Sequence, residues 1–183
     1  MKQRVFENPL IKDKVTVLAS STETNGQYVL VEVELQPGGG NDMHYHTTFT
    51  EEFTAVEGVL GIDAGKQKLR LQPGESASAA INQLHRFYNP GDEVIRFHVK
   101  IEPAKDSFLQ GLSIGYGLAS DGLTNKKGIP KSIDHLALLL NLTDTRLPGL
   151  LSLINPIVRS RARRAQKKGV EKMLLEKYWF TEN

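Results

Sequence analysis

Two histidines and a glutamate lie close together in GGGNDMHYHTTFTEEFTAVEG, residues 38–58. Alternate side chains of an extended strand point to the same side, so we expect His44 and His46 to face one way and Tyr45 the other. Glu51 begins the next predicted strand and can reach the same point. Two imidazole nitrogens and a carboxylate suit a divalent transition metal ion, so the segment predicts a metal site.

A third histidine can complete this predicted site. His85, in QLHRFYNPGDE, begins another strand of the β-rich region and is the natural candidate. Glu52 is the alternative to its neighbour Glu51, but strand alternation turns Glu52 outward. The pair His44 and His46 also has a simpler interpretation, as polar residues of a turn between two strands.

The other two histidines have different surroundings. His98 shares the polar face of its predicted strand with Arg96 and Lys100, so we expect it to face solvent. His135 lies in an apolar helical segment, which favours a packing or interface role. Neither is predicted to bind metal.

The residues that must position this site are predominantly β. In YVLVEVEL the valines alternate with polar or outward residues, and VIRFHVKIEP alternates in the same way. Glycine- and proline-containing turns recur at short intervals, which is typical of a sandwich or barrel. Five apolar side chains are predicted to line its interior: Phe53, Ala55, Phe87, Phe97 and Val99. Such a lining fits a small, largely apolar or aromatic ligand.

The pattern becomes helical after Pro103. SIDHLALLLNL has Ser132 as a plausible N-cap, and Gly169 is a plausible end for the basic helix that follows Pro156. We therefore predict a β domain at 1–103 and a helical extension at 104–183, packed on the barrel or on a partner chain.

The spacing of the metal-site residues resembles the first motif of the cupins, G-x5-H-x-H-x4-E-x6-G. Every position of that motif is matched, by Gly38, His44, His46, Glu51 and Gly58.

The second cupin motif, G-x5-P-x-G-x2-H-x3-N, is matched in part. Gly74, His85 and Asn89 stand in register. Ala80 replaces the expected proline and Asn82 the expected glycine. Both are turn positions, so these departures can reshape the loop without removing a metal ligand.

The resemblance implies a double-stranded β-helix, a jelly-roll-like cupin barrel, followed here by C-terminal α-helices. It also implies one divalent transition metal ion, such as Fe, Mn, Ni, Co or Zn, held by four residues: His44, His46, Glu51 and His85. Cupins often form homodimers, and their reactions include those of dioxygenases, isomerases and lyases, so fold alone does not fix the reaction.

Two functions are consistent with this resemblance. The first is a metal-dependent enzyme, of oxidoreductase (dioxygenase-like), isomerase or lyase type, acting on a small molecule in the barrel. The second is a non-catalytic protein that binds or senses a small ligand, with a structural or adventitious metal. An open coordination position next to a solvent-reaching pocket distinguishes the first from the second.

Composition narrows the classes further. The 183 residues contain no cysteine, which excludes disulfides, thiolate ligands and a cysteine nucleophile. The N-terminal sequence has no apolar signal region and no apolar run is long enough to span a bilayer, so we expect a cytoplasmic protein.

Positive charge is concentrated near the C-terminus. Residues 159–172 carry seven Lys or Arg and one Glu, a net +6, which leaves the rest of a chain of total charge +2 at −4. We interpret this segment as the solvated face of a packed helix, with membrane-surface contact as the less favoured alternative. No nucleic-acid partner is expected, since no helix-turn-helix segment precedes the barrel.

Overall fold

Nine β-strands form two antiparallel sheets in residues 4–179, the part of the chain that the computed structural model describes. The strands are β1 Val5–Asn8, β2 Asp13–Ala19, β3 Val29–Leu35, β4 Thr50–Glu57, β5 Leu60–Ala64, β6 Gln67–Leu71, β7 Ser76–Ala79, β8 His85–Tyr88 and β9 Ile95–Glu102. One sheet has the order β1-β2-β3-β9-β4-β7 and the other β6-β5-β8. This architecture confirms the predicted fold class, which is mainly β with C-terminal helices.

Strand alternation builds the core between the sheets. Along β3 and β9 every second residue is buried, and these residues face each other in register, for example Val33 opposite Phe97. Phe53 and Ala55 of β4 are buried beside them. The predicted interior faces are therefore confirmed.

Four α-helices and one short 3-10 helix follow the strands. They are α1 Asp106–Ser120, α2 Ile133–Leu142, the 3-10 helix Gly149–Ile154, α3 Asn155–Lys167 and α4 Val170–Tyr178. The side chain of Ser132 caps α2, as predicted, and Gly169 adopts a left-handed conformation just after α3. No helix among residues 4–179 is both long enough and apolar enough to cross a bilayer.

The helices pack on the barrel of the same chain. Leu109 and Tyr116 of α1 join the barrel core, and the ring of Trp179 stacks on Phe6 with centroids 6.2 Å apart. A second apolar cluster holds the helices together, formed by Ile114, Leu118, Ala137, Leu138, Leu142, Ala162, Ala165 and Leu174. The strands end at Glu102, while the division into two domains at residue 103 stays a prediction.

A buried carboxyl lies between the barrel and α1. The Tyr116 hydroxyl donates a hydrogen bond to Oδ2 of Asp13 at 2.6 Å. Burial raises the pKa of Asp13 to about 6, although hydrogen bonds from Tyr116 and the backbone oppose this shift. Oδ1 of Asp13 has no hydrogen-bond partner among the described residues, which fits a carboxyl that folding favours in its protonated form.

Asp13→Asn is expected to change the pH dependence of stability. The folded pKa of Asp13 lies above the value of about 4 in an unfolded chain, so the folded state binds the proton more tightly. This contribution to the free energy of unfolding is complete below pH 4 and is lost as the pH rises to 6. Relative to the variant, the free energy of unfolding of the wild type should fall by about 3 kcal/mol over that interval.

Urea unfolding between pH 4 and pH 7 measures this difference. Asp92→Asn, at an exposed loop position, is the matched control and should keep the wild-type pH dependence. Parallel pH profiles for the wild type and Asp13→Asn would contradict the prediction.

Candidate metal centre

The four predicted side chains meet at one place. Each of His44, His46, Glu51 and His85 offers one ligand atom, and these four atoms lie within 4.8 Å of one another. His44 is partly buried and the other three residues are buried. This cluster contains all the residues predicted as metal ligands.

The cluster joins the two sheets. Glu51 belongs to β4 of the six-stranded sheet, whereas His85 begins β8 of the three-stranded sheet. His44 lies in the extended segment before β4 and forms an isolated antiparallel bridge with His85, with N–H···O distances of 3.0 and 2.9 Å. Backbone pairing therefore sets the separation of these two histidines before any ion is considered.

Each histidine is oriented by a backbone carbonyl. Nδ1 of His44 lies 2.8 Å from the Asp42 carbonyl oxygen, and Nδ1 of His85 lies 2.8 Å from that of Gln83. Nδ1 of His46 lies 3.3 Å from the Asp144 carbonyl oxygen. A carbonyl can only accept, so each Nδ1 carries the proton, and in the neutral ring Nε2 keeps the lone pair that a metal ion would need.

The spacing of the ligand atoms fits a single ion. The two Nε2 atoms of His44 and His46 are 3.1 Å apart, and Oε2 of Glu51 lies 2.8 Å from Nε2 of His85 and 3.5 Å from that of His46. Ligands bonded at about 2.1 Å to one ion lie about 3.0 Å apart at right angles and about 3.4 Å apart in a tetrahedron. The lone pairs of His44 and His46 would repel at this distance, and a cation among them removes that repulsion.

The charges of the cluster also favour a cation. Burial alone raises the pKa of Glu51, but hydrogen bonds and charge interactions with His46 and His85 outweigh burial and keep this pKa well below its ordinary value. Burial lowers the pKa of His44 to about 4, against the attraction of Glu51. The site therefore presents the ionised carboxylate of Glu51 beside the neutral imidazole of His44. Burial alone lowers the pKa of His85, but its hydrogen bond to Glu51 raises this pKa, so a bound cation would displace a proton from Nε2 of His85.

Aromatic rings surround the buried histidines. The ring of Phe49 stacks on His46 with centroids 4.3 Å apart, and Phe53 lies 6.1 Å from His85. Phe108 of α1 meets His46 edge-on at 6.3 Å. These rings hold the imidazoles in place and keep that side of the site apolar.

The loop after α2 supports the cluster from outside the barrel. The Asp144 carboxylate accepts hydrogen bonds from Thr47 N at 2.7 Å and from the hydroxyl groups of Thr47 and Thr48 at 3.0 Å. It also forms an ion pair of 2.6 Å with Arg146, whose backbone exchanges two hydrogen bonds with Tyr45. The helical extension is therefore hydrogen-bonded to the segment that carries His44 and His46.

Sequence reasoning missed Asp144. It lies 98 positions from His46, in a part of the chain that neither motif includes. An aspartate between two threonines after a helix indicates a polar turn, but no spacing rule connects that turn with the metal segment.

The residues predicted to lie outside the site do so. Glu52 is exposed on the outer face of β4. His98 pairs with Glu32 at 3.4 Å on the outer face of the barrel. His135 is partly buried on α2, and none of these three belongs to the cluster.

The departures from the second motif have a structural explanation at Asn82. This residue has φ of +64°, in the left-handed region, and its N–H donates to the carbonyl of His46 at 2.8 Å. Asparagine adopts that conformation more readily than other residues with a Cβ, so it can replace glycine there. The loop that carries Asn82 thus keeps its hydrogen bond to the segment that carries His44 and His46.

The stability of variants at Asn82 should depend on how readily the new residue adopts a left-handed backbone conformation. Asn82→Gly is expected to leave the free energy of unfolding nearly unchanged, whereas Asn82→Ala should cost roughly 1–2 kcal/mol. Chemical denaturation of the two variants measures this ranking. A larger loss for Asn82→Gly than for Asn82→Ala would contradict it.

Comparison with known proteins agrees with this arrangement. Residues 31–101 match the family model of the cupin domain, and this range includes all four candidate ligands. A 71-residue stretch is 30% identical to quercetin 2,3-dioxygenase of Bacillus subtilis. The match covers 39% of this chain and 21% of that relative, so the chain spans about a fifth of the relative's length.

Solved structures share the fold at low sequence identity. A predicted oxalate decarboxylase from Thermotoga maritima superposes with a TM-score of 0.50 and 14% identity, covering 56% of this chain and 98% of the other. An RmlC-like cupin from Shewanella frigidimarina has a TM-score of 0.49 and 18% identity, covering 59% of this chain and 89% of the other. Residues 31–101 therefore resemble the cupin domain in sequence, the barrel shares the fold of the Thermotoga maritima protein, and its cluster of histidine and glutamate could hold a metal ion.

Proposed function

We propose that this protein is a metal-dependent cupin enzyme acting on a small molecule, of dioxygenase, isomerase or lyase type. One divalent transition metal ion, Fe, Mn, Ni, Co or Zn, would be held by His44, His46, Glu51 and His85. One observation carries the proposal. Each histidine is bonded through Nδ1 to a backbone carbonyl, so three Nε2 atoms converge with one carboxylate oxygen.

The protein orients the candidate ligands and shields one side of the site from water. When bound, such an ion supplies Lewis-acid polarisation of a substrate oxygen, or dioxygen activation if it is iron. The carbonyls of Asp42, Gln83 and Asp144 hold the imidazoles in one tautomer, which removes the cost of reorienting them. The rings of Phe49 and Phe108 exclude water from one side of the site.

A small substrate with an apolar or aromatic body fits these surroundings best. Aromatic side chains lie around His46 and His85, and three of the four ligand residues are buried. A cavity of about 640 Å³ lies beside the segment that leads to His44, and Asp42 and Thr145 are among its lining residues, whereas none of the four candidate ligands lines it. The named reaction of the Bacillus subtilis relative, dioxygenation of quercetin, belongs to the first of the three proposed types.

The second candidate function is non-catalytic binding or sensing of a small ligand. The burial of His46, Glu51 and His85 favours it, because a closed site holds a structural ion without offering a coordination position to a substrate. The partial exposure of His44 favours an open position and hence the enzyme.

Water exchange at the site distinguishes these functions. The protein is freed of metal, loaded with one equivalent of Mn(II), and studied by water-proton relaxation. An enzyme should show at least one rapidly exchanging water on the ion, and small chelating or aromatic acids should displace it. Tight Mn(II) binding without exchangeable water would favour the binding protein, and failure to bind any of the five metals would contradict the enzyme.

The location and the oligomeric state of the protein are also proposed. We infer a cytoplasmic homodimer that forms through its barrel sheets, as cupins often do. Sedimentation equilibrium tests the dimer: a mass of one chain across the micromolar range would contradict it.

A further inference from the structure

The most exposed large apolar side chains of the described residues are concentrated in one part of the helical extension. Leu150 is 87% exposed, Leu153 74% and Ile157 68%. They fall on the 3-10 helix and the first turn of α3, and Ile154 between them is also exposed. Ile133, at the start of α2, is also 68% exposed. Its neighbour Asp134 forms an ion pair with Arg161, which places the start of α2 beside α3. Contiguous exposure of this kind marks an interaction surface.

Positive charge continues from this apolar surface along α3. Ile157, Arg161, Arg164 and Lys168 recur at intervals of three or four residues, so they share one side, and all four are exposed. An adjoining side of α3, with Ala162 and Ala165, is buried against the other helices. We call Leu150, Leu153, Ile157, Arg164 and Lys168 the C-terminal patch.

The charge of the C-terminal patch decides between its potential occupants. In a symmetric dimer the same surface meets itself, so two segments of net charge +6 would face each other and repel. An anionic partner removes that repulsion. A lipid surface further suits aliphatic side chains that project into solvent, because they can enter the headgroup region while arginine and lysine contact phosphate.

We infer that the C-terminal patch binds the surface of a membrane that contains anionic phospholipid, and so brings the cupin barrel to a lipid bilayer. Leu150, Leu153 and Ile157 enter the interface, and Arg164 and Lys168 contact the headgroups. Basic residues near an anionic surface each contribute on the order of a fivefold gain in affinity, and the aliphatic side chains add to this.

Vesicle flotation tests this inference with the full-length protein. The vesicles contain either phosphatidylcholine alone or phosphatidylcholine with roughly 30 mol% phosphatidylglycerol, which gives them a negative surface potential. We expect the wild type to float only with the anionic vesicles, and high salt to weaken this binding. Arg164→Glu/Lys168→Glu should weaken it at least about thirtyfold. Leu150→Gln/Leu153→Gln should weaken it about tenfold or more.

Controls separate this contact from charge in general and from a protein interface. Lys66→Glu/Lys68→Glu makes the same change of charge on exposed residues of the barrel and should float like the wild type. Metal content should be the same in all these variants. Two results would overturn the inference: a wild type that stays with the soluble fraction for both vesicle types, or a patch variant that floats normally but loses a dimer measured by light scattering.

Discussion

His85→Ala is expected to abolish tight metal binding. The substitution removes one of four converging ligand atoms and leaves Glu51 without its 2.8 Å partner. We expect metal affinity, measured by competition with a coloured chelator, to fall by more than the roughly 100-fold seen when residues that only orient a ligand are changed. Because His85 is buried in the barrel, near-UV circular dichroism should accompany each titration.

Matched controls make this result specific. His98→Ala removes a histidine from the outer face of the barrel and should leave metal affinity unchanged. Glu51→Gln and Glu52→Gln form a second pair, in which adjacent residues of β4 face opposite sides. Only Glu51→Gln should weaken binding. Equal affinities for His85→Ala and His98→Ala would contradict the assignment of the four ligands.

Asp144→Ala should weaken both metal binding and the fold. The carboxylate anchors Thr47 and Thr48 and pairs with Arg146, and its own backbone has φ of +50°. Loss of the side chain leaves the buried Arg146 with hydrogen bonds to two backbone carbonyls but no ion-pair partner, which costs about 3–5 kcal/mol of stability. Without the carboxylate, the loop is no longer anchored, and the backbone carbonyl of residue 144 is no longer held against Nδ1 of His46. Metal affinity should therefore fall about 10–100-fold.

A conservative variant separates orientation from general damage. Asparagine tolerates a left-handed conformation and keeps an acceptor for Thr47 N–H, so Asp144→Asn should recover most of the metal affinity while remaining less stable than the wild type. Asp121→Ala removes a carboxylate that holds Lys177 and Tyr178 elsewhere in the extension. It should leave metal affinity unchanged. Wild-type affinity in folded Asp144→Ala would show that the loop does not position His46.

The barrel and the four clustered residues could be predicted because their information is local. Alternation along β3 and β9 identifies the buried faces, and the fixed spacing of His44, His46 and Glu51 places three ligand atoms together once the strands form. Glu52 could be assigned to the outer face for the same reason, since adjacent residues of a strand face opposite sides.

The contribution of the helical extension could not be predicted in this way. Phe108 and Asp144 reach His46 only because α1 and the loop after α2 fold back onto the barrel, and contacts between residues so far apart leave no periodic trace. The exposed apolar surface was also hidden in the sequence. Leu150 and Leu153 precede the basic helix on a 3-10 helix, whereas the helical pattern of α3 alone shows a small apolar face of alanines.

The most direct test of the central claim is the metal content of the untagged protein. Elemental analysis of the purified chain, and of the metal-free chain after incubation with Fe(II), Mn(II), Ni(II), Co(II) or Zn(II) and gel filtration, counts bound ions per chain. Convergence of four ligand atoms within 4.8 Å predicts close to one ion per chain for at least one of these metals. A content near zero after every incubation would contradict the account, and the cluster would then be a hydrogen-bonded feature of the barrel core.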